Sequence, residues 1–177
     1  MKGWLIVNSF MDSAKFNELY SLLSKAAEKH GITLEMLKSY EVNGVIGDKT
    51  EKNDLPDFVL FWDKDIFAAK ALEDKGLRLF NTSEAVYACD NKAETYVRLA
   101  KAGIRIPKTV IAPKAFEGTG YNNFDFLKKA IKDLGLPLII KESYGSFGQQ
   151  VYLAKTVDEC KYYKKSRSQG FSYAGIH

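Results

Sequence analysis

Apolar and polar positions follow two alternating periods over the first ninety residues. Short apolar or alternating runs predict strands, because they suit a sheet buried on one or both faces. The strands are predicted at residues 4–7, 32–37, 57–63 and 77–80. Helical spacing predicts one helix that starts at Asp12 or Ser13 and ends before Gly31, and another over 65–75. Strands that alternate with helices predict an α/β domain with a parallel sheet, which we place at residues 1–90.

The polar stretch 43–54 within this domain is predicted to be a loop, and the strand at 32–37 to lie nearer an edge of the sheet.

After this first domain, helix signals and short strands continue in a less regular order. Asn91 is predicted to cap a helix, with Glu94 at its third position and Gly103 at its end. Further helices are predicted at 83–89, at 124–134 behind Asn123, and from Val157 behind a Thr156–Glu159 capping box. Strands are predicted at 109–111, 138–141 and 151–154. We place this α+β segment at residues 91–160.

The connection between the last two strands, residues 142–150, contains the strongest chemical signal. Gly145 and Gly148 with Ser146 between them allow a loop whose backbone N–H groups close over an anion. Lys141 ends the preceding strand and projects toward the same space, and such an arrangement recurs where nucleotide phosphates bind. The alternative is an ordinary hairpin with a solvated lysine. Nine residues between strands exceeds the usual hairpin length, which favours a functional loop.

Other phosphate-binding and nucleic-acid motifs are excluded. No G-x-x-x-x-G-K-[ST] sequence occurs, so the chain is not a P-loop enzyme. The first strand is followed by Asn8-Ser9-Phe10-Met11 rather than by the glycines of a dinucleotide fingerprint. A KH module places its G-x-x-G between helices, whereas strands flank this one.

Composition adds a charge asymmetry and a cellular setting. The chain has 26 Lys and Arg against 22 Asp and Glu, and residues 161–177 hold four basic residues and no acid. The remaining 160 residues are therefore neutral, which argues against a broad basic surface for nucleic acid. Cys89 and Cys160 are the only cysteines, and no apolar run approaches a membrane span. We expect a cytoplasmic protein without a membrane partner.

Three segments carry a family resemblance. These are 90–92 (Asp-Asn-Lys), 102–109 (Ala-Gly-Ile-Arg-Ile-Pro-Lys-Thr) and 140–148 (Ile-Lys-Glu-Ser-Tyr-Gly-Ser-Phe-Gly), behind a strand–helix domain. In this order the chain resembles the ATP-grasp superfamily over about residues 1–160. It is most similar to the branch of RimK-like glutamate ligases, which modify ribosomal proteins, and related amino-acid ligases. The resemblance implies a parallel-sheet pre-ATP-grasp domain followed by the first α+β subdomain of an ATP-grasp fold.

The same resemblance implies ATP-dependent joining of a carboxylate to an amine through an acyl-phosphate, with Mg²⁺ bridging the phosphates of ATP. Two family lysines that reach those phosphates match Lys92 and Lys141. The family's phosphate-covering loop matches Ser143, Gly145, Ser146, Phe147 and Gly148. Taken alone, a lysine in the first turn of a helix is usually solvated, and its charge opposes the helix dipole. Asp90 and Glu94 are interpreted as capping residues rather than metal ligands.

The C-terminal stretch departs from the family pattern. No Asp or Glu follows Glu159, so the family's magnesium ligands and second ATP-grasp subdomain are expected to be absent, and residues 161–177 are interpreted as a basic, aperiodic tail. We therefore expect a naturally truncated, frameshifted or cloned fragment with weak or no catalysis of its own. Two alternatives are a non-catalytic nucleotide-binding or interaction module and, less favoured, single-stranded nucleic-acid binding by the tail. An exposed subdomain face would also allow self-association.

Overall fold

The chain forms two compact units, residues 1–87 and 88–177. The computed structural model describes residues 1–42, 55–114, 123–165 and 171–175. The loop predicted at 43–54 lies outside these ranges. No helix in the described ranges combines the length and the apolar character needed to cross a membrane.

The first unit contains a four-stranded parallel sheet. Its strands are β1 (Lys2–Val7), β2 (Thr33–Lys38), β3 (Phe58–Trp62) and β4 (Leu79–Phe80). Its helices are α1 (Ala14–Glu28), α2 (Ser39–Val42), α3 (Ile66–Asp74) and α4 (Ser83–Asp90). The strand order is β2-β1-β3-β4, and each neighbouring pair is parallel. The parallel sheet and the edge position of β2 are thus confirmed.

Consecutive residues of β1 pack into separate apolar clusters, as expected for a strand covered on both faces. Leu5 and Val7 pack with Tyr20 of α1. Ile6, between them, belongs to a cluster with Val59 and with residues of α3. All of these side chains are buried, so the alternation along β1 divides the apolar interior into two layers. Burial, and secondarily the charge of Asp63, raises the pKa of Tyr20.

The second unit contains an antiparallel sheet in the order β5-β8-β6-β7. Its strands are β5 (Thr109–Ile111), β6 (Leu138–Glu142), β7 (Val151–Ala154) and β8 (Phe171–Gly175). Its helices are α5 (Lys92–Lys101), α6 (Asp125–Leu134) and α7 (Val157–Lys165). Leu127 and Leu134 of α6 pack against Leu138 and Ile140 of β6 in its core.

The expectation of an aperiodic tail at 161–177 is wrong. Helix α7 continues to Lys165, and β8 lies inside the sheet between β5 and β6. Phe171 pairs with Glu142 on one side, while Ser172 pairs with Ile111 on the other. Backbone pairing on both edges forms this strand, and such tertiary pairing overrides a weak local pattern.

The caps of the second unit agree only in part with the sequence. Thr156 and Glu159 form the predicted capping box, in which each side chain accepts the other residue's backbone N–H at 3.2 Å. The predicted cap at Asn123 is wrong, because α6 starts one residue later and Phe124 occupies the cap position without a side-chain hydrogen bond. Asn123 instead accepts the N–H of Asp125 at 3.3 Å.

Candidate functional site

Helix α5 begins against the loop that follows β6. Asn91 caps the helix by accepting the N–H groups of Ala93 and Glu94 at 3.0 and 3.2 Å, as predicted. The N–H of Lys92 donates to the carbonyl oxygen of Ser143 at 2.7 Å. This backbone bond joins the first turn of α5 to residues 143–150, which we call the glycine loop. The Glu94 carboxylate pairs with Arg98 at 2.7 Å.

The side chain of Lys92 reaches the same loop. Its Nζ donates to the carbonyl oxygen of Gly145 at 2.7 Å in a half-buried position. A hydrogen bond from an ammonium group is stronger than one between neutral partners. The structure therefore brings Lys92, Ser143 and Gly145 together, although they lie fifty residues apart in the sequence.

Lys141 is connected to the same face of α5 through Tyr96. Its Nζ donates to the phenolic oxygen of Tyr96 at 2.7 Å and lies 5.4 Å from the centre of that ring. Tyr96 follows Lys92 by four residues, and residues at this spacing share one face of a helix. Lys92 at the start of α5 and Lys141 near the end of β6 are therefore both connected to the same face of α5.

The glycine loop contains several left-handed backbone positions. Gly145 has φ +118° and Gly148 has φ +73°, conformations that glycine adopts without a steric penalty. Phe147 has φ +60°, unusual for a bulky residue, and its side chain is 84% exposed. An unpacked aromatic ring held in such a conformation is available to cover a bound molecule.

Gln150 closes the base of this loop. Its carbonyl oxygen accepts the N–H of Glu142 at 3.1 Å, and its side chain lies across Gly145, where a Cβ atom would collide with it. Glu142 is buried and accepts the hydroxyl of Tyr152 at 3.1 Å. Since successive residues of a strand point to opposite faces, this carboxylate and the ammonium group of Lys141 project from opposite faces of β6.

The arrangement is suited to binding an anion with several oxygens. Two ammonium groups and the N–H groups of a glycine-containing loop are donors, and phosphate oxygens are strong acceptors. Ser146, Phe147 and Gly148 belong to the same loop as Ser143 and Gly145. Among the described residues, no three His, Cys, Asp or Glu side chains form a group that could hold a metal ion.

Two residues of this site were not identified from the sequence. For Tyr96, the spacing of four residues from Lys92 is a signal that could have indicated its role. Gln150 has no sequence signal, because its contact with Gly145 depends on the three-dimensional course of the loop.

Comparison with known families identifies this architecture. Residues 89–167 match the RimK-like ATP-grasp domain family. Over these residues the chain resembles a RimK-like ATP-grasp domain. The match contains α5, the glycine loop and both lysines, so the family resemblance of the sequence is confirmed.

Curated proteins similar to this chain include ligases and a mycoplasma protein. A protein of Mycoplasma pneumoniae described as an uncharacterized MG012 homolog is 34% identical over 81% of this chain and 50% of its own length. The glutamate–LysW ligase ArgX of Sulfolobus acidocaldarius is 33% identical over 54% of this chain and 31% of its own length. Beta-citrylglutamate synthase B of Danio rerio is 33% identical over 52% of this chain and 22% of its own length. The chain thus spans half or less of these relatives.

Solved structures show the same ATP-grasp fold. A RimK domain protein of Sphaerobacter thermophilus superimposes with a TM-score of 0.75 at 14% identity, over 100% of this chain and 64% of that one. D-alanine–D-alanine ligase of Bacillus anthracis, solved with ATP, gives a TM-score of 0.68 at 18% identity and is covered to 57%. Both comparisons support the predicted α/β fold, a parallel-sheet domain followed by an ATP-grasp subdomain.

Proposed function

We propose that the second unit binds the phosphates of ATP through Lys92, Lys141 and the glycine loop, as part of an ATP-dependent carboxylate–amine ligase. The observation that carries the proposal is the convergence of both ammonium groups on one face of α5, with Lys92 directly on the loop. The position of this site within the matched RimK-like segment supports it.

In this proposal, the ammonium group of Lys92 exchanges its hydrogen bond to the glycine loop for one to a phosphate oxygen. Its ammonium group holds the carbonyl of Gly145, and a phosphate oxygen, which is a stronger acceptor, would compete for the same donor. Release of Gly145 would then let the loop close over the phosphates with its N–H groups directed inward. The exposed Phe147 would cover the bound nucleotide and exclude water.

Lys141 has a positioning contact with Tyr96. The Tyr96 hydroxyl fixes the ammonium group at the end of β6, so a phosphate would meet a preorganised charge. In the proposed reaction both lysines would offset the negative charge that develops as the terminal phosphoryl group moves to a carboxylate. An amine would then attack the carbonyl carbon of the acyl-phosphate, which forms an amide and releases inorganic phosphate. Magnesium would accompany ATP, and we assign no step to it.

The names of relatives suggest a substrate class. A glutamate–LysW ligase, a beta-citrylglutamate synthase and an N-acetylaspartylglutamate synthase of Homo sapiens all contain glutamate in their names. We therefore propose glutamate or another amino acid as one substrate of the whole ligase. A non-catalytic nucleotide-binding module remains the second candidate, and it shares the same phosphate contacts.

Isothermal titration with a non-hydrolysable ATP analogue and Mg²⁺ tests the proposal. Replacing Lys92 or Lys141 with Ala should weaken binding at least about tenfold, because each change removes a charged donor from the phosphates. Lys128→Ala is the matched control, since this exposed lysine of α6 pairs with Asp125 at 2.9 Å and should leave affinity unchanged.

Two results would count against the proposed site. If the chain does not bind the analogue even at millimolar concentration, it does not bind ATP phosphates by itself. Binding that both lysine variants leave unchanged would place the nucleotide elsewhere. Turnover measured with glutamate and candidate amines then separates the ligase from the non-catalytic module.

A further inference from the structure

We propose that the first unit binds an organic ammonium ion at the carboxyl edge of its parallel sheet, beside Asp63. This inference is independent of ATP binding by the second unit. It depends on four residues that follow the strand ends, Asn8, Ser9, Ser39 and Asp63, which we call the carboxyl-edge site.

Strand register brings these residues to the same level. Val7, the last residue of β1, pairs with Lys38 of β2 on one side and with Trp62 of β3 on the other. The next residue of each strand therefore lies at one edge of the sheet. The chain passes from β1 to β2 in one direction and then to β3 in the other, and in open parallel sheets ligands bind at such a switch point, beyond the carboxyl ends.

The carboxylate of Asp63 is held through one oxygen only. Its Oδ1 accepts the N–H of Lys64 at 2.6 Å and the side-chain amide of Asn8 at 3.1 Å. The Oδ1 atom of Asn8 in turn accepts the N–H of Phe10 at 2.9 Å. The other oxygen of Asp63, Oδ2, is buried and has no hydrogen-bond partner within the described chain. A buried acceptor without a donor is costly, so this atom indicates a missing donor.

The neighbouring serines are already engaged with each other. The hydroxyl oxygens of Ser9 and Ser39 lie 2.8 Å apart, and that of Ser9 also accepts the N–H of Tyr40 at 2.9 Å. Ser39 is buried. This pair fixes the turn after β1 against the end of β2, and the unpartnered acceptor at this edge is Oδ2 of Asp63.

Exposed aromatic residues lie at or just beyond the end of each of the three strands. Phe10 is 94% exposed, Tyr40 65% and Trp62 40%. Aromatic faces attract organic cations, and a carboxylate adds charge and a hydrogen-bond acceptor. A primary ammonium group with an apolar substituent matches both features. A metal ion does not, because no group of three ligating side chains occurs in the described residues.

Titration of the ¹⁵N-labelled full chain with n-butylammonium, followed by NMR, tests the site. The Lys64 amide is a built-in reporter, because it donates to the carboxylate that the ligand would engage. We expect saturable millimolar shifts at Lys64 and Asn8. 1-Pentanol, which is uncharged, and tetramethylammonium, which has no N–H donor, should bind at least about fivefold more weakly.

Variants separate a specific site from general attraction. Asp63→Asn keeps the shape and removes the charge, and it should lower affinity at least about tenfold. Phe10→Ala should lower it about two- to fivefold through the lost ring. Asp57→Asn is the matched control, because this carboxylate lies just before β3 at the opposite edge and accepts the N–H of Lys2 at 2.7 Å.

Several outcomes would overturn the proposal. Shifts that do not saturate, or equal binding of 1-pentanol, would show only weak apolar association. Equal binding of tetramethylammonium would show that a hydrogen bond to Oδ2 does not contribute to the affinity. Unchanged affinity of both Asp63→Asn and Phe10→Ala, in variants whose spectra remain well dispersed, would place the ligand away from this edge.

Discussion

Substitution of Gly145 by Ala tests the geometry of the glycine loop. At φ +118° an alanine backbone is strained by about 1–3 kcal/mol. Its Cβ would also collide with the flexible end of the Gln150 side chain, which must leave its present rotamer at a cost of about 0.5–1.5 kcal/mol. Gly148→Ala meets open space at φ +73°, so only the backbone cost of about 1–2 kcal/mol applies. Gly145→Ala should therefore cost about 1.5–4.5 kcal/mol in total, more than Gly148→Ala.

Gln150→Ala provides the control for the steric part. Combined with Gly145→Ala it should recover about 0.5–1.5 kcal/mol, because the truncated side chain no longer meets the new methyl group. Hydrogen exchange of the slowest amides in β6, measured by NMR, reports the free energy of opening of the second unit. The reasoning is refuted if Gly145→Ala costs no more than Gly148→Ala, or if Gln150→Ala recovers nothing.

Four further predictions concern stability and thiol chemistry. Asn91→Ala should lower the free energy of unfolding by about 1 kcal/mol, because α5 loses the acceptor for two N–H groups. This is measured as a lower midpoint of urea unfolding, and an unchanged midpoint would contradict it. Leu127→Ala should cost about 2–5 kcal/mol by opening a cavity against β6 in the same assay. A thiol reagent should label exposed Cys89 at once and buried Cys160 only on unfolding. Burial raises the pKa of Cys160 from 9.0 to about 11, so its contribution to stability should fall as pH rises between these values, and a Cys160→Ala variant should lose that pH dependence.

Local signals in the sequence were sufficient for most of the first unit. The apolar run of β1 and the capping residues Ser13 and Asp65 determine their elements through nearby chemistry. Tertiary pairing decided what the sequence could not show. Strand β8 was missed because Ser172 and Gly175 weaken its local pattern, whereas β5 and β6 supply hydrogen-bond partners on both sides.

The candidate phosphate site was predictable in its residue types but not in its contacts. A lysine at a strand end and glycines in a long connection indicated Lys141 and the loop. The bonds from Lys92 to Gly145 and from Lys141 to Tyr96 join segments that are far apart in sequence, so no local pattern could specify them. The nucleic-acid alternative was argued from an aperiodic tail, and residues 171–175 of that segment instead form an internal strand.

Mapping an ATP analogue onto the chain tests the central claim most directly. In ¹H–¹⁵N spectra of the full chain with Mg²⁺ and a non-hydrolysable analogue, we predict the largest shifts at residues 143–148 and at Lys92. The same spectra of Lys92→Ala should show these shifts only at much higher concentration. Absent shifts, or shifts confined to other parts of the chain, would contradict the assignment of the glycine loop to ATP.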